Sequence, residues 1–108
     1  MEIAIKDDGA AATVTMTGRL DIAGAEVVAQ PLATLSGSKS ALFLDMAGVT
    51  FVASLGLRHL VMTAKTLARR GGRLVLLNPS TIVTEVIELS GLDSILQIEN
   101  RGAAPLTA

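Results

Sequence analysis

Ser54 is the residue of this sequence best placed to do chemistry. It follows the apolar run Ala41-Leu42-Phe43-Leu44, closed by Asp45, and it opens the longest amphipathic stretch of the chain, which ends at Gly71-Gly72. A serine there is flanked by Ala53 and Leu55, where a strand has ended and a helix begins. Two jobs compete for it. Serine is among the best helix N-caps. The same place also suits a phosphoserine, because a phosphate at a helix N-terminus meets free backbone N–H groups and the positive end of the dipole.

Other chemistries fail on spacing or count. The single histidine is His59, and five residues along a helix is a turn of about 140°, so Ser54 and His59 do not make a nucleophile–base pair. With no cysteine and one histidine, no metal-ligand cluster is visible. The carboxylates Asp7, Asp8, Asp21, Asp45, Glu85, Glu88 and Asp93 fall mostly in turns or caps. Neither GxxxxGK[ST] nor GxGxxG occurs. No cofactor is expected, and the chain does not read as an enzyme.

Composition narrows the partners. Net charge is −1, Arg69-Arg70 is the densest basic run, and the aromatic residues are two phenylalanines. That lacks both the electrostatic footprint and the stacking platform of a nucleic-acid binder. Half the residues are hydrophobic, enough for a core, yet no apolar run approaches the ~20 residues that cross a bilayer. MEIAIKDDGA has no signal-peptide pattern. The expectation is a soluble cytoplasmic protein of one domain, residues 1–108, without membrane insertion.

The elements that must position Ser54 follow from periodicity. Ile3 and Ile5, then Thr13–Thr17, read as two strands of a hairpin joined by Asp7-Asp8-Gly9. Asp21 is placed to cap a helix from about Ile22 to Leu35, with Pro31 predicting a kink and Ser36-Gly37-Ser38 a stop. Ala41–Leu44, Leu74–Leu77 and the weaker Ile95–Ile98 read as strands, the first two covered on both faces. Ser80 offers a cap for a helix to Leu89, stopped by Ser90-Gly91, and residues from Glu99 onward read as a frayed tail or short final turn. The order β-β-α-β-α-β-α-β predicts an α/β fold with a mixed sheet.

The helix after Ser54 has two faces. At about 100° per residue, Leu57, Leu60, Val61, Ala64, Leu67 and Ala68 form the core stripe. Leu55, Arg58, His59, Met62, Lys65, Thr66 and Arg69 lie opposite. Leu55 and Met62 share a ridge with Ser54, rimmed by Arg58 and Lys65. Such a ridge is either a partner-docking face or a set of scattered surface hydrophobes.

These residues resemble a known family. Leu44-Asp45-Met46-Ala47-Gly48-Val49-Thr50-Phe51-Val52-Ala53-Ser54-Leu55-Gly56-Leu57 resembles the signature of STAS domains, in particular single-domain anti-sigma factor antagonists. Thr17-Gly18-Arg19-Leu20-Asp21 resembles the family's TGxLD motif, Gly71–Leu76 its GG-strand, and Asn78-Pro79 through Ser90-Gly91-Leu92 its third-helix segment. The resemblance implies a STAS-like sheet, an N-terminal hairpin then alternating βα units, with helices mainly on one side. It implies a partner switch: the unphosphorylated antagonist binds an anti-sigma factor of histidine-kinase-like ATPase fold, that factor phosphorylates the serine and the complex dissociates, and a PP2C-type phosphatase resets it. The matching acceptor is Ser54, and the partner surface maps to Asp21, Ser54, Leu55, Gly56 and Leu57, which the ridge extends to Arg58 and Met62. STAS-like modules also serve as constitutive accessory subunits of transporter ATPases or sensory assemblies. The family usually has Asp-Ser-Ser-Gly where this chain has Ala53-Ser54-Leu55-Gly56. A small residue commonly stands where this chain has Arg58.

Overall fold

In the computed structural model, residues 1–101 are described. Five strands form one sheet in the order β1-β2-β3-β4-β5: β1 (Glu2–Asp8), β2 (Ala11–Leu20), β3 (Ala41–Val52), β4 (Arg73–Leu77) and β5 (Gln97–Glu99). Helices α1 (Ile22–Ser38), α2 (Ser54–Arg69) and α3 (Thr81–Leu89) make the crossovers, and a single 3₁₀ turn, Leu92–Ser94, precedes β5. β1 and β2 are antiparallel, and the remaining neighbours are parallel. The mixed sheet and its order of elements agree with the sequence reading.

The core shows why the helices share one face. Ala12, Val14 and Met16 of β2 and Leu42, Leu44 and Met46 of β3 alternate inward and are buried. They join a single cluster with Val28, Leu32 and Leu35 of α1, Leu57, Leu60 and Leu67 of α2, and Val83 and Ile87 of α3. On the opposite face Thr13, Phe43 and Asp45 are half-buried. The guanidiniums of Arg73 and Arg101 lie 5.5 and 5.1 Å from the Phe43 ring centre. Ala41–Leu44 is therefore not covered by protein on both faces as expected, whereas Leu74–Leu77 is buried throughout.

Several boundaries differ from the periodicity reading. β2 runs through Gly18-Arg19-Leu20, which periodicity treats as a break. β3 runs 12 residues rather than ending at Asp45. The reason is two register shifts against β2, where Asp45 and Gly48 oppose Thr15 and Thr17, and Val49 and Phe51 oppose Gly18 and Arg19. Each inserts a residue in β3 and breaks the alternation that a pattern search follows. α1 passes through Pro31 without interruption and includes Ser36, Gly37 and Ser38. Pro within a helix costs about 3 kcal/mol, and burial of Val28, Leu32 and Leu35 offsets it. In α2, Ala68 is exposed although expected in the core stripe, and Thr63, assigned to neither face, is buried. The Thr63 hydroxyl donates to the His59 carbonyl at 2.7 Å, so it enters the core with its polar group satisfied. Ile95 is 46% exposed and precedes β5 rather than opening it. Glu99 belongs to β5; the expected tail lies, from residue 102, outside the described residues.

Four hydrogen bonds lock the lower end of the sheet, away from Ser54. Lys39 Nζ donates to Asp7 Oδ1 at 2.6 Å and to the Gly9 carbonyl at 2.7 Å, tying the end of α1 to the hairpin turn. Arg70 Nη1 donates to the Ser36 and Lys39 carbonyls, both at 2.8 Å. The basic residue that caps the C-terminal end of α2 thereby serves the carbonyls at the C-terminal end of α1.

Candidate functional site

The site is built where β2 and β3 release their helices. The parallel register sets Leu20 opposite Val52, so Asp21 and Ala53 leave the sheet in step. The Ala53 N–H donates to the Leu20 carbonyl at 2.9 Å. Gly56 then packs onto the same residue: a Cβ added at Gly56 would lie 2.7 Å from both Leu20 Cγ and Leu20 O. Glycine is required here by close approach, and the contact pins the first turn of α2 against the β2–α1 corner.

Ser54 is not the cap of α2. The capping position belongs to Ala53 (φ −94°, ψ 169°), whose side chain makes no capping bond. Ser54 is the first helical residue and is exposed. The first intrahelical bond runs from the Leu57 N–H to the Ala53 carbonyl at 3.0 Å. The N–H groups of Ser54, Leu55 and Gly56 precede it, and no side chain at position 53 serves them. Of the two readings of Ser54, the N-cap is the one the geometry corrects.

Asp21 does cap its helix. Its Oδ1 accepts from the Gly24 N–H at 2.9 Å, and its Oδ2 accepts from Arg19 Nε at 3.3 Å. The bond from Gly24 first, and the Arg19 guanidinium after it, hold the Asp21 carboxyl below the usual carboxylate range. The same guanidinium lies 4.3 Å from the centre of the Phe51 ring, the residue paired across the strands with Arg19. A ring–guanidinium–carboxylate stack thus stands beside the start of α2.

The expected site residues do not form one exposed patch. Asp21, Ser54 and Gly56 are brought together around Leu20. Gly56 and Leu57 are buried, Leu57 at 8% exposure, so they position the turn rather than offer surface. Leu55 is half-buried and Arg58 exposed. Met62, 54% exposed, stands further down α2. It borders an open groove of about 280 Å³ between α1 and α2, lined also by Ala29, Ala33, Ser36, His59, Thr63 and Thr66. Arg19 and Phe51 were not assigned a role from sequence. Their visible signal is position: both lie within the family-like segments Thr17–Asp21 and Leu44–Leu57, Arg19 two residues before the capping Asp21 and Phe51 three before Ser54.

Fold and site define a small α/β module, a hairpin followed by βα units on one face of the sheet, that presents a free serine at the head of its second helix. The chain belongs to the STAS domain family: the family described as "Mlab, STAS domain" matches residues 3–97. A relative in Bordetella bronchiseptica, named as the anti-sigma factor antagonist BtrV, is 32% identical over 94 residues, covering 86% of this chain and 81% of that protein. The crystal structure of an anti-sigma factor antagonist from Mycobacterium paratuberculosis is similar, with a TM-score of 0.81 at 25% identity over 98% of this chain and 91% of that one. The unphosphorylated form of SpoIIAA, an anti-sigma factor antagonist known from Bacillus, has a TM-score of 0.79 at 22% identity over 95% and 92% of the two chains.

Proposed function

We propose that this protein is a non-enzymatic anti-sigma factor antagonist, switched by phosphorylation of Ser54. The observation that carries the reading is Ser54 itself: exposed, first in α2, and not engaged as the cap. Support comes also from the BtrV relative and the Mycobacterium structure, both named as anti-sigma factor antagonists. The partner is an anti-sigma factor with a histidine-kinase-like ATPase fold that acts as a serine kinase, and a PP2C-type phosphatase reverses the modification. In the transfer, Ser54 Oγ bonds to the γ-phosphorus of ATP and loses its proton, and ADP leaves. The chain supplies the accessible hydroxyl and the N–H groups of Ser54, Leu55 and Gly56, aimed where the phosphate would sit. Phosphorylation adds nearly two negative charges next to the half-buried Leu55. A partner that docks over Leu55, Arg58 and Met62 would have to desolvate that charge, and the complex dissociates.

The test is phosphorylation with the cognate kinase and ATP, read by intact mass. The expected result is one added phosphate, lost in Ser54→Ala; equal labelling of Ser54→Ala would refute the site. A second reading is favoured by Ala53, which places no carboxylate beside the acceptor as the family usually does. In that reading the module is a constitutive subunit of a transporter ATPase or sensory assembly. Recovery of a transporter ATPase as the main partner in a pull-down would replace the switch.

A further inference from the structure

β1 is an edge strand: β2 pairs with one side of it, and no described strand pairs with the other. Hairpin geometry identifies the free backbone groups. Asp8 stands opposite Ala11 across the two-residue loop Gly9-Ala10, and Gly9, at φ 82°, supplies the first position of a type II′ turn. Residues flanking such a turn form a hydrogen-bonded pair, and bonded and non-bonded pairs then alternate. Ala10 agrees with this phase, because its carbonyl accepts from Ser40 N at 2.8 Å on the β3 side, which turns Ala11 toward β1. Lys6, Ala4 and Glu2 therefore bond to β2, and the N–H and C=O groups of Ile3 and Ile5 point outward.

The side chains alternate with the same period. Ile3 and Ile5 oppose Met16 and Val14 on the helix-bearing face, and Glu2, Ala4 and Lys6 lie on the other. Ile5 is 48% exposed and Val27 44%. Val27 is on the flank of α1 turned away from Ala29 and Ala33, which line the groove against α2. Ile5 thus leaves an exposed apolar side chain on a free strand edge.

We propose that β1 is a homodimerisation edge, pairing antiparallel with β1 of a second copy and centred on Ala4 opposite Ala4. In that register Ile3 of each copy exchanges both backbone bonds with Ile5 of the other, and Glu2 of each copy faces Lys6 of the other. The face chemistry selects this register. Centring on Ile5 sets Glu2 against Asp8, and centring on Lys6 sets that lysine against itself. The two five-stranded sheets become continuous, with both α1 helices flanking the junction on one face. β2 separates this edge from β3 and the Ser54 turn, so the inference stands whether or not Ser54 is phosphorylated.

Sedimentation equilibrium of the full chain from micromolar to millimolar concentration tests the pairing. The wild type dimerises. Glu2→Lys and Lys6→Glu each raise the dissociation constant about tenfold or more, since both cross-strand ion pairs become like-charged. An equimolar mixture of the two variants forms a heterodimer, because every pair is again opposite in charge, and the double variant recovers the homodimer. Ile5→Pro removes an outward N–H with no bond to β2 at stake, so it keeps the wild-type circular dichroism while abolishing the dimer. A wild type monomeric over the whole range would overturn the proposal. So would dimers whose affinity ignores both charge reversals.

Discussion

Adding one methyl group at Gly56 and one at Gly37 should have opposite effects. At Gly56 the new Cβ would meet Leu20 Cγ and Leu20 O at 2.7 Å, well inside ordinary van der Waals contact. Leu20 is fully buried, and one of the two atoms is backbone, so neither yields without moving the corner. Overpacking of this kind costs about 1–3 kcal/mol. The helix-propensity gain from Gly to Ala is at most about 1 kcal/mol, and it is smaller in a first turn. The clash wins, and Gly56→Ala loses about 1–2 kcal/mol, or roughly 4–8 °C in melting temperature. Gly37 also lies in a helix, but nothing stands within 4 Å of its Cβ position. Gly37→Ala gains about 0.4–1 kcal/mol. Urea unfolding of both variants beside the wild type reads the two signs. A Gly56→Ala chain as stable as the wild type would refute the idea that this contact pins the start of α2.

Because Ser54 makes no capping bond, Ser54→Ala should leave stability within about 0.5 kcal/mol of the wild type; a larger loss in the same unfolding assay would restore the cap. Ala53 already has extended backbone angles, so Ala53→Asp should supply the missing cap and raise stability by about 1 kcal/mol. The lowered pKa of Asp21 means its charge stabilises the fold fully above the ordinary value of 3.8, and this contribution is lost as pH falls through the folded value. Asp21→Asn, which keeps a capping oxygen, should melt below the wild type near neutrality, and the gap should close in acid.

What the sequence made legible followed local rules. Ser80 caps α3 through a bond from the Val83 N–H at 3.2 Å, and Asp21 caps α1, both as residue type and position indicate. The misread segments are those where pairing overrides pattern. The bulges that shift β3 against β2 leave no mark in Met46–Val52 except lost alternation, which also marks a loop. Pro31 reads as a kink or a division into two shorter turns because the burial that offsets its cost is made against other strands and helices. Thr63 falls outside the apolar stripe because its compensating bond to His59 needs the helix to exist first.

The candidate site divides in the same way. Ser54 stands out because a strand pattern ends and a helix pattern starts around it. Arg19 and Phe51 do not, because their stack is created by the parallel register that sets them opposite one another. The groove beside Met62 also depends on tertiary placement, since Ala29, Ala33 and Ser36 of its lining come from α1.

Placing Ala53 rather than Ser54 at the cap changes the energetics of the proposed switch. A capping hydroxyl would already hold one of the free N–H groups, and a phosphate built on it would exchange one acceptor for another. At Ser54 the hydroxyl holds no capping bond and the first-turn N–H groups lack a side-chain cap. A phosphate there adds charge-assisted bonds at the positive end of the helix without breaking one. The modified chain should then be more stable, by about 0.3–1 kcal/mol for a charge at an exposed helix terminus. Its loss of affinity must come from the docking surface rather than from unfolding. Melting of the phosphorylated and unphosphorylated chains decides the point: a phosphoprotein that melts lower would mean that the switch works by loosening α2.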